Sequence, residues 1–537
     1  MASAQGVAGP ENFNDLASSF SCTPLALTVD LGYAQYKGEV DTATNIAKFL
    51  GIRYAAAPIG DLRFRAPQPP VTVAGVQLAT TPPNECFQAG TGQSPTNPFE
   101  TRASQAVPAV SVNSEDCLFL NVFYPSDAAG TPVGGLPTVV WIHGGGYIEG
   151  GAGPFNGENI INQSNRGVVV VIIQYRLGVF GFLSGSAVKQ NGALNAGLLD
   201  QDFALRWVNQ HITKFGGDPS KVTIWGESAG AGSVLQHVIA NNGSTEPQLF
   251  RGAITSSSFL PSQYMYNDRI PELLFSEFVA QTNCTSASDS MACLRAVPAT
   301  VMETANNNIN IGEFFGTFAT VPVVDGDFIT QRATTALLEG RVNGQALLSV
   351  TNSFEGTDFV NQSVAVSASQ YSLELFPGFG TVQADTVGVL YAGLGNDQFQ
   401  VNAVQGESIF ICPTYFLLNA FPGRSFKGEF AIPPGLHAND LDYYFTSRGV
   451  PGFNNAEFID AFAQSFTSFI INLDPNIKVD PTTITPFWNK FDVGNTEMLF
   501  NRTAAAPGAP VVQPITTSST LLERCLFWNS VGNLTAQ

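Results

Sequence analysis

Lys221-Val-Thr-Ile-Trp-Gly-Glu-Ser-Ala-Gly230 joins an apolar strand pattern directly to a helical one. Inside it lies Gly226-x-Ser228-x-Gly230. A strand-to-helix turn this tight holds its central residue in a strained conformation, and small flanking residues remove the Cβ atoms that would otherwise collide. The turn lifts the Ser228 hydroxyl above the sheet, at a helix N-terminus whose dipole favours developing negative charge. A bare Gly-x-Ser-x-Gly is as readily a Gly/Ser-rich helix start without chemistry. The strand–turn–helix context favours a nucleophile.

A serine nucleophile implies further parts. Donors for an oxyanion are expected from the backbone N–H of Ala229 and from a loop earlier in the sheet. Val139-Val-Trp-Ile-His-Gly-Gly-Gly-Tyr147 offers that loop, a strand ending in three glycines that let N–H groups converge without side chains in the way. The base comes from four histidines, His143, His211, His237 and His437. His143 lies in the glycine loop and His211 late in the preceding helix. His237, on the helix that follows Ser228, is roughly 13 Å away at about 1.5 Å per residue. With an elbow of this kind the chain order is nucleophile, acid, base, and only His437 satisfies it. It sits in the turn-rich Pro433-Pro-Gly-Leu-His-Ala-Asn-Asp440. Activity is expected to fall as pH drops through roughly 6–7, where an imidazole protonates. For the acid, three carboxylates remain open: Asp325 after Val321-Pro-Val-Val324, Glu355 after Ala346-Leu-Leu-Ser-Val-Thr351, and Asp358.

The surroundings fit a buried parallel sheet. Leu118–Tyr124, Thr138–His143, Gly167–Tyr175, Lys221–Gly226 and Ala346–Thr351 read as strands. Asn195–Phe215 reads as a helix, with Leu199, Phe203, Trp207 and His211 at helical spacing. Phe458, Phe462, Phe466 and Phe469 make the apolar face of another, packed in the core. Buried strands alternating with helices imply a mostly parallel sheet covered on both faces. No linker separates domains, so residues 1–537 are expected to form one large α/β domain with long insertions. One insertion is the Gly/Ser/Thr/Asn/Pro-rich loop 86–117.

Composition narrows the classes. The 537 residues carry 24 Lys+Arg against 43 Asp+Glu, a net charge of −19. Such a chain repels phosphate backbones, so no nucleic-acid partner is expected. The hydrophobic share of 44% supplies a packed core rather than disorder. The longest aliphatic run, Val168–Ile173, is far short of the ~18–20 residues of a membrane helix, so no membrane span is expected. Seven cysteines without a Cys-x-x-Cys pair do not suggest a zinc site. Six Asn-x-Ser/Thr sequons, at Asn162, Asn242, Asn283, Asn361, Asn501 and Asn533, are glycosylation candidates. Together with the scattered cysteines they favour secretion, although Met1-Ala-Ser-Ala-Gln5 shows neither the basic nor the apolar stretch of a signal peptide.

These residues resemble the type-B carboxylesterase/lipase family, which includes cholinesterases and fungal lipases. Phe215-Gly-Gly-Asp-Pro-Ser-Lys-Val-Thr-Ile-Trp-Gly-Glu-Ser-Ala-Gly230 is similar to its nucleophile signature, and Glu115-Asp-Cys-Leu-Phe-Leu-Asn-Val122 to its second signature. Asn195-Ala-Gly-Leu-Leu-Asp-Gln201 and Phe49-Leu-Gly-Ile-Arg-Tyr54 also match. The resemblance implies an α/β-hydrolase fold and a serine carboxylesterase that needs no metal or organic cofactor, acting on a small-molecule ester. It places the acid at Glu355, in Asn352-Ser-Phe-Glu-Gly356, where Phe354 departs from the commoner Asp-Glu-Gly; Asp325 is held in reserve. It places the oxyanion donors at Gly145, Gly146 and Ala229, and His143 outside the triad. Ser256-Ser-Ser-Phe259 departs from the family's usual Gln-Ser-Gly, which bears on packing behind the nucleophile. The resemblance also implies the bridges Cys86–Cys117, Cys284–Cys293 and Cys412–Cys525, leaving Cys22 over. Cholinesterase activity is disfavoured: quaternary ammonium recognition relies on aromatic faces, best of all Trp, and loop 86–117 has no Trp. Relatives that only bind, as adhesion proteins, typically lose a triad member, and Ser228, Glu355 and His437 are all present. A triacylglycerol or sterol-ester lipase is the nearer alternative. Loop 86–117, which closes over the site in lipases of this family, has helix-breaking Gly and Pro, and Phe87, Phe99, Val107, Val110 and Val112 keep no helical period. It reads as a fixed wall, so short-to-medium acyl esters are expected substrates, with Phe314, Phe315 and Phe318 as candidate lining residues.

Overall fold

A computed structural model describes residues 27–97 and 113–537. Cys22, Phe99, Val107, Val110 and Val112 lie outside the described residues.

Eleven strands form one sheet, in the spatial order Pro510–Thr516, Thr496–Arg502, Ser425–Phe430, Ala346–Asn352, Gly252–Ser256, Gly217–Glu227, Leu136–Ile142, Val169–Ile173, Phe119–Pro125, Ile46–Arg53, Glu39–Asp41. From Thr496–Arg502 to Val169–Ile173 every neighbouring pair is parallel. The flanking pairs are antiparallel. A separate three-stranded sheet joins Thr28–Asp30, Gln35–Lys37 and Val76–Leu78.

The period of two along the strands assigns each residue to a face. Val140, Ile142, Val171, Ile224 and Leu347 enter one apolar cluster, while Val139, Trp141, Val170, Trp225 and Leu348 enter the other. Both faces are buried, as the near-continuous apolar strands require. Phe458, Phe462, Phe466 and Phe469 on helix Ala456–Asn472 cover the second face, with Phe466 stacked on Trp225 at 5.2 Å. Helix Ala196–His211 covers the first. Its buried residues include Leu198, Leu205 and Val208 together with Trp207 and His211 of the face the sequence spacing predicts, whereas Leu199 and Phe203 of that face are only partly buried.

The signature segments prove to be anchors. Arg63 grips Glu115 with two hydrogen bonds of 2.6 and 2.7 Å, and Arg53 grips Asp116 likewise at 2.6 and 2.8 Å, fixing the chain as it leaves loop 86–117. In the buried interior Asp200 takes a bidentate Arg176 at 2.7 Å. Such forked pairs add geometric definition as well as energy. The bridges Cys86–Cys117, Cys284–Cys293 and Cys412–Cys525 are all formed.

The parallel register then positions a site. Ile142 pairs with Gly226, Glu227 with Ser256, and Ser256 with Val350. The carboxyl ends of four adjacent strands are therefore level, and the segments that leave them (143–147, 228, 257–259 and 353–355) emerge side by side. The carboxyl edge of a parallel sheet is where ligands bind in open α/β folds.

Candidate active site

Ser228 occupies φ +55°, ψ −124°, between strand Gly217–Glu227 and helix Ala229–Gly243. Its N–H is held by the Ser256 carbonyl at 2.9 Å. The glycines of the elbow are required by contact. A Cβ on Gly226 would lie 2.3 Å from the Gly230 carbonyl carbon, and one on Gly230 would lie 2.0 Å from the Ile142 oxygen. The glycine loop lies directly against the serine, since a Cβ on Gly144 would sit 3.0 Å from Ser228 Cβ. Among the described residues the N–H groups of Gly145, Gly146 and Ala229 donate no hydrogen bond. Buried amides normally find acceptors, so three free donors beside one hydroxyl make an anion-binding corner.

His437 and Glu355, the acid that the resemblance implies, lie together at this edge. His437 Nδ1 lies 2.6 Å from Glu355 Oε2. Glu355 also accepts from Asn352 N at 2.6 Å and Ser257 Oγ at 2.7 Å, so its carboxylate is fixed from three sides. His437 Nε2 has no hydrogen-bond partner among the described residues. Phe359 and Phe410 flank the imidazole, ring centroids 5.0 and 4.5 Å away.

The other histidines are occupied elsewhere. His143 stacks on Tyr175 at 4.5 Å and its Nδ1 lies 2.9 Å from the Gly144 carbonyl. His237 Nε2 contacts Gln201 Oε1 at 3.1 Å, and His211 packs against Trp207 and Tyr33. Burial pushes His143, His211 and His237 down to about 4. Asp325, the reserve acid, accepts from Asn195 Nδ2 at 2.6 Å and from the N–H groups of Asp327 and Ile329, and does not join His437. Asp358 is close enough for His437 to act on its charge, but it makes no hydrogen bond to the imidazole.

Residues beyond those singled out in the sequence complete the site. Glu227 Oε1 lies 3.2 Å from His437 Nε2. Ser257, at φ +60°, holds Glu355, and Asn352 Nδ2 bridges to Asp440 Oδ1 at 3.1 Å. The signal for Glu227 lay in its position beside the nucleophile. Burial alone would push the His437 imidazolium down; Glu227 and Glu355 outweigh burial and raise it to about 9. Burial pushes Glu227 up to about 8 and Asp440 up to about 6. The carboxylates therefore move the protonation of His437 above the roughly 6–7 expected for an isolated imidazole. The Ser256–Phe259 segment explains itself here too: Ser256 Oγ is bonded by Trp225 Nε1 at 3.2 Å, and Ser258 Oγ donates to Thr255 Oγ1 at 2.9 Å, so hydroxyls fill the space behind the elbow.

A pocket near this corner is lined by Phe259, Phe314 and Phe318, but not Phe315. Phe318 ties it to the site: a Cβ on Gly146, at φ +60°, would fall 2.0 Å from the Phe318 ring, and Phe318 lies 6.1 Å from Phe359 beside His437. Asn97 of loop 86–97 lines it, and the loop's Gly92 and Ser94 amides donate to the Thr317 and Glu313 carbonyls at 2.9 and 2.8 Å. Among the described residues no group of three or more His, Cys, Asp or Glu side chains could hold a metal ion.

Known proteins resemble this chain in sequence and fold. The model of the carboxylesterase family matches residues 26–376. Lipase 1 of Geotrichum candidum is 35% identical over 86% of this chain and 88% of its own, and carboxylesterase patB of Penicillium expansum is 28% identical over 94% and 95%. The crystal structure of EstA from Aspergillus niger superposes with a TM-score of 0.83 at 31% identity, covering 95% of this chain and 99% of that one. The fold is that of the α/β-hydrolase esterases, and the chain belongs to the carboxylesterase family.

Proposed function

We propose that the chain hydrolyses carboxylic esters through an acyl-enzyme on Ser228. Ser228 Oγ attacks the ester carbonyl carbon as His437 Nε2 takes its proton. Glu355 holds His437 through Nδ1 and stabilises the imidazolium. The tetrahedral oxyanion accepts hydrogen bonds from Gly145, Gly146 and Ala229. The intermediate collapses, and the leaving alcohol takes the proton from His437. Water then gives a proton to His437 and attacks the acyl carbonyl; as the second intermediate collapses, the bond to Ser228 Oγ breaks, His437 returns the proton to Oγ and the acid is released. The observation that carries this reading is the 2.6 Å His437–Glu355 contact at the same sheet edge as a strained serine and three free amides. A panel of p-nitrophenyl and alkyl esters, varied separately in acyl and alcohol parts, tests it. Turnover is expected for the native enzyme and its loss for Ser228→Ala.

Within esters, short-to-medium acyl chains without activation at an oil surface are the preferred substrates. The described part of loop 86–117 supports this, because its backbone is hydrogen-bonded to residues 311–317 rather than free to open. Rate measured across the solubility limit of one ester tests it; a jump as droplets form would make lipase the better description. We read residues 1–537 as one hydrolase domain, a reading supported by a single sheet that draws strands from residues 39 to 516. Secretion with glycosylation is supported by the three disulfides and by exposed sequon residues Asn162, Asn242, Asn283 and Asn533; Asn361 and Asn501 are half-buried.

A further inference from the structure

The cavity beside Gly146 is not uniformly apolar. Phe259, Phe314, Phe318 and Leu274 give it aromatic and aliphatic wall, but Glu313 also lines it. Glu313 is only 8% exposed; among the described residues its carboxyl group makes no hydrogen bond or ion pair, and its oxygens are not fully buried but keep access to the cavity they line. Its backbone is committed: the carbonyl accepts from Ser94 N at 2.8 Å and the N–H donates to Asn310 at 3.2 Å. The side chain is thus held on a fixed turn, five residues before the phenylalanine that touches the oxyanion loop. Buried carboxyl groups are rarely left unpaired, and one that is points to a role outside the fold's own bonding. Phe318, whose ring packs against Gly146, joins the cavity to the oxyanion loop and so to the ester carbonyl. With the ester carbonyl oxygen on Gly145 and Gly146, the space walled by Phe318 is beside the carbonyl and takes the acyl chain.

We propose that Glu313 is a specificity-determining residue: the cavity accepts esters whose acyl chain carries a hydroxyl group, and Glu313 hydrogen-bonds that hydroxyl. This rests on Ser228 being the nucleophile. The chemistry of the carboxyl group selects the partner. Burial pushes Glu313 up to about 8, so near neutral pH it is a carboxylic acid, one donor with spare acceptor capacity. A hydroxyl is also donor and acceptor, and the match needs no buried ion pair, whose desolvation an ammonium substrate would incur. A plain alkyl chain fills the apolar wall but leaves Glu313 unpaired and removes what water reaches it.

The test is the ratio of kcat/KM for matched p-nitrophenyl esters, ω-hydroxyhexanoate over hexanoate and ω-hydroxyoctanoate over octanoate, with p-nitrophenyl acetate as the chain-free reference. The native enzyme is expected to favour the hydroxylated member of at least one pair by about tenfold. Glu313→Leu should reverse that ratio while hydrolysing acetate normally, and Glu313→Gln, which still donates and accepts, should keep the preference. A native enzyme with no preference in either pair overturns the proposal, whatever the variants do. So does Glu313→Leu with the native ratio. Failure of the native enzyme to turn over acetate would instead overturn the Ser228 reading beneath it.

Discussion

Replacing Glu227 by Gln should move the acidic limb of the kcat/KM profile to lower pH. A general base must be neutral, so activity appears only as pH rises through the His437 protonation range. The native limb is set by charges the imidazole faces at both nitrogens. Glu227 Oε1 is 3.2 Å from Nε2, and Glu355 Oε2 is 2.6 Å from Nδ1. At an effective dielectric of about 20, two unit charges at the first spacing attract by about 5 kcal/mol before desolvation is counted. Burial opposes them, and His437 still rises to about 9. Gln keeps the shape of Glu227, leaves the Glu355 hydrogen bond intact and removes one of the two charges that overcome burial. The limb should then fall by about one pH unit or more, which corresponds to only about 1.4 kcal/mol of the gross attraction. The variant should gain relative activity on the acid side. Because the two groups titrate as a pair, the profile reports the pair's apparent values. The assay is kcat/KM for a soluble p-nitrophenyl ester from acid to alkaline pH, corrected for spontaneous hydrolysis. A limb that stays in place, or moves to higher pH, would show that Glu227 does not govern the protonation of His437.

Other outcomes follow from the same geometry. His437→Ala should lower kcat by about 10³-fold or more, since triad members act as a unit, while His143→Gln should retain turnover; steady-state kinetics on both variants separates them. Gly146→Ala would place a Cβ 2.0 Å from the Phe318 ring at a backbone φ of +60°, and displacing that donor should cost about 10²-fold or more in kcat, read beside a thermal melt to confirm folding. Replacing Cys412 and Cys525 together by Ser opens a bridge that spans 113 residues, and a loop of that length predicts a loss of about 4–5 kcal/mol, measurable by urea denaturation under conditions where unfolding is reversible.

Much of this was legible in the chain because the decisive signals are local. The elbow needs only an apolar strand, two small residues and a helix start, all within ten consecutive residues. His437 emerged because four histidines and a fixed chain order leave one choice. The acid was less legible: Asp325 and Glu355 both follow apolar segments, and what separates them is long-range. Asn195 and two local amides occupy Asp325, whereas Ser257 and His437 come to Glu355. The direction of the His437 shift was not legible for the same reason. An isolated imidazole gives roughly 6–7, and the shift upward comes from carboxylates brought in by the register of parallel strands, with Glu227 separated from His437 by most of the second half of the chain. The lone carboxyl of Glu313 was invisible too, because being unpaired is a property of the packed cavity and not of any sequence window.

The account depends most on Ser228 as the atom that bonds to substrate. Incubation with a p-nitrophenyl alkylphosphonate, followed by proteolysis and tandem mass spectrometry, locates the covalent adduct directly. The account predicts one phosphonyl group per chain, on Ser228, formed in step with loss of esterase activity and absent in Ser228→Ala. An adduct on any other residue, or complete inactivation with Ser228 unmodified, would contradict it.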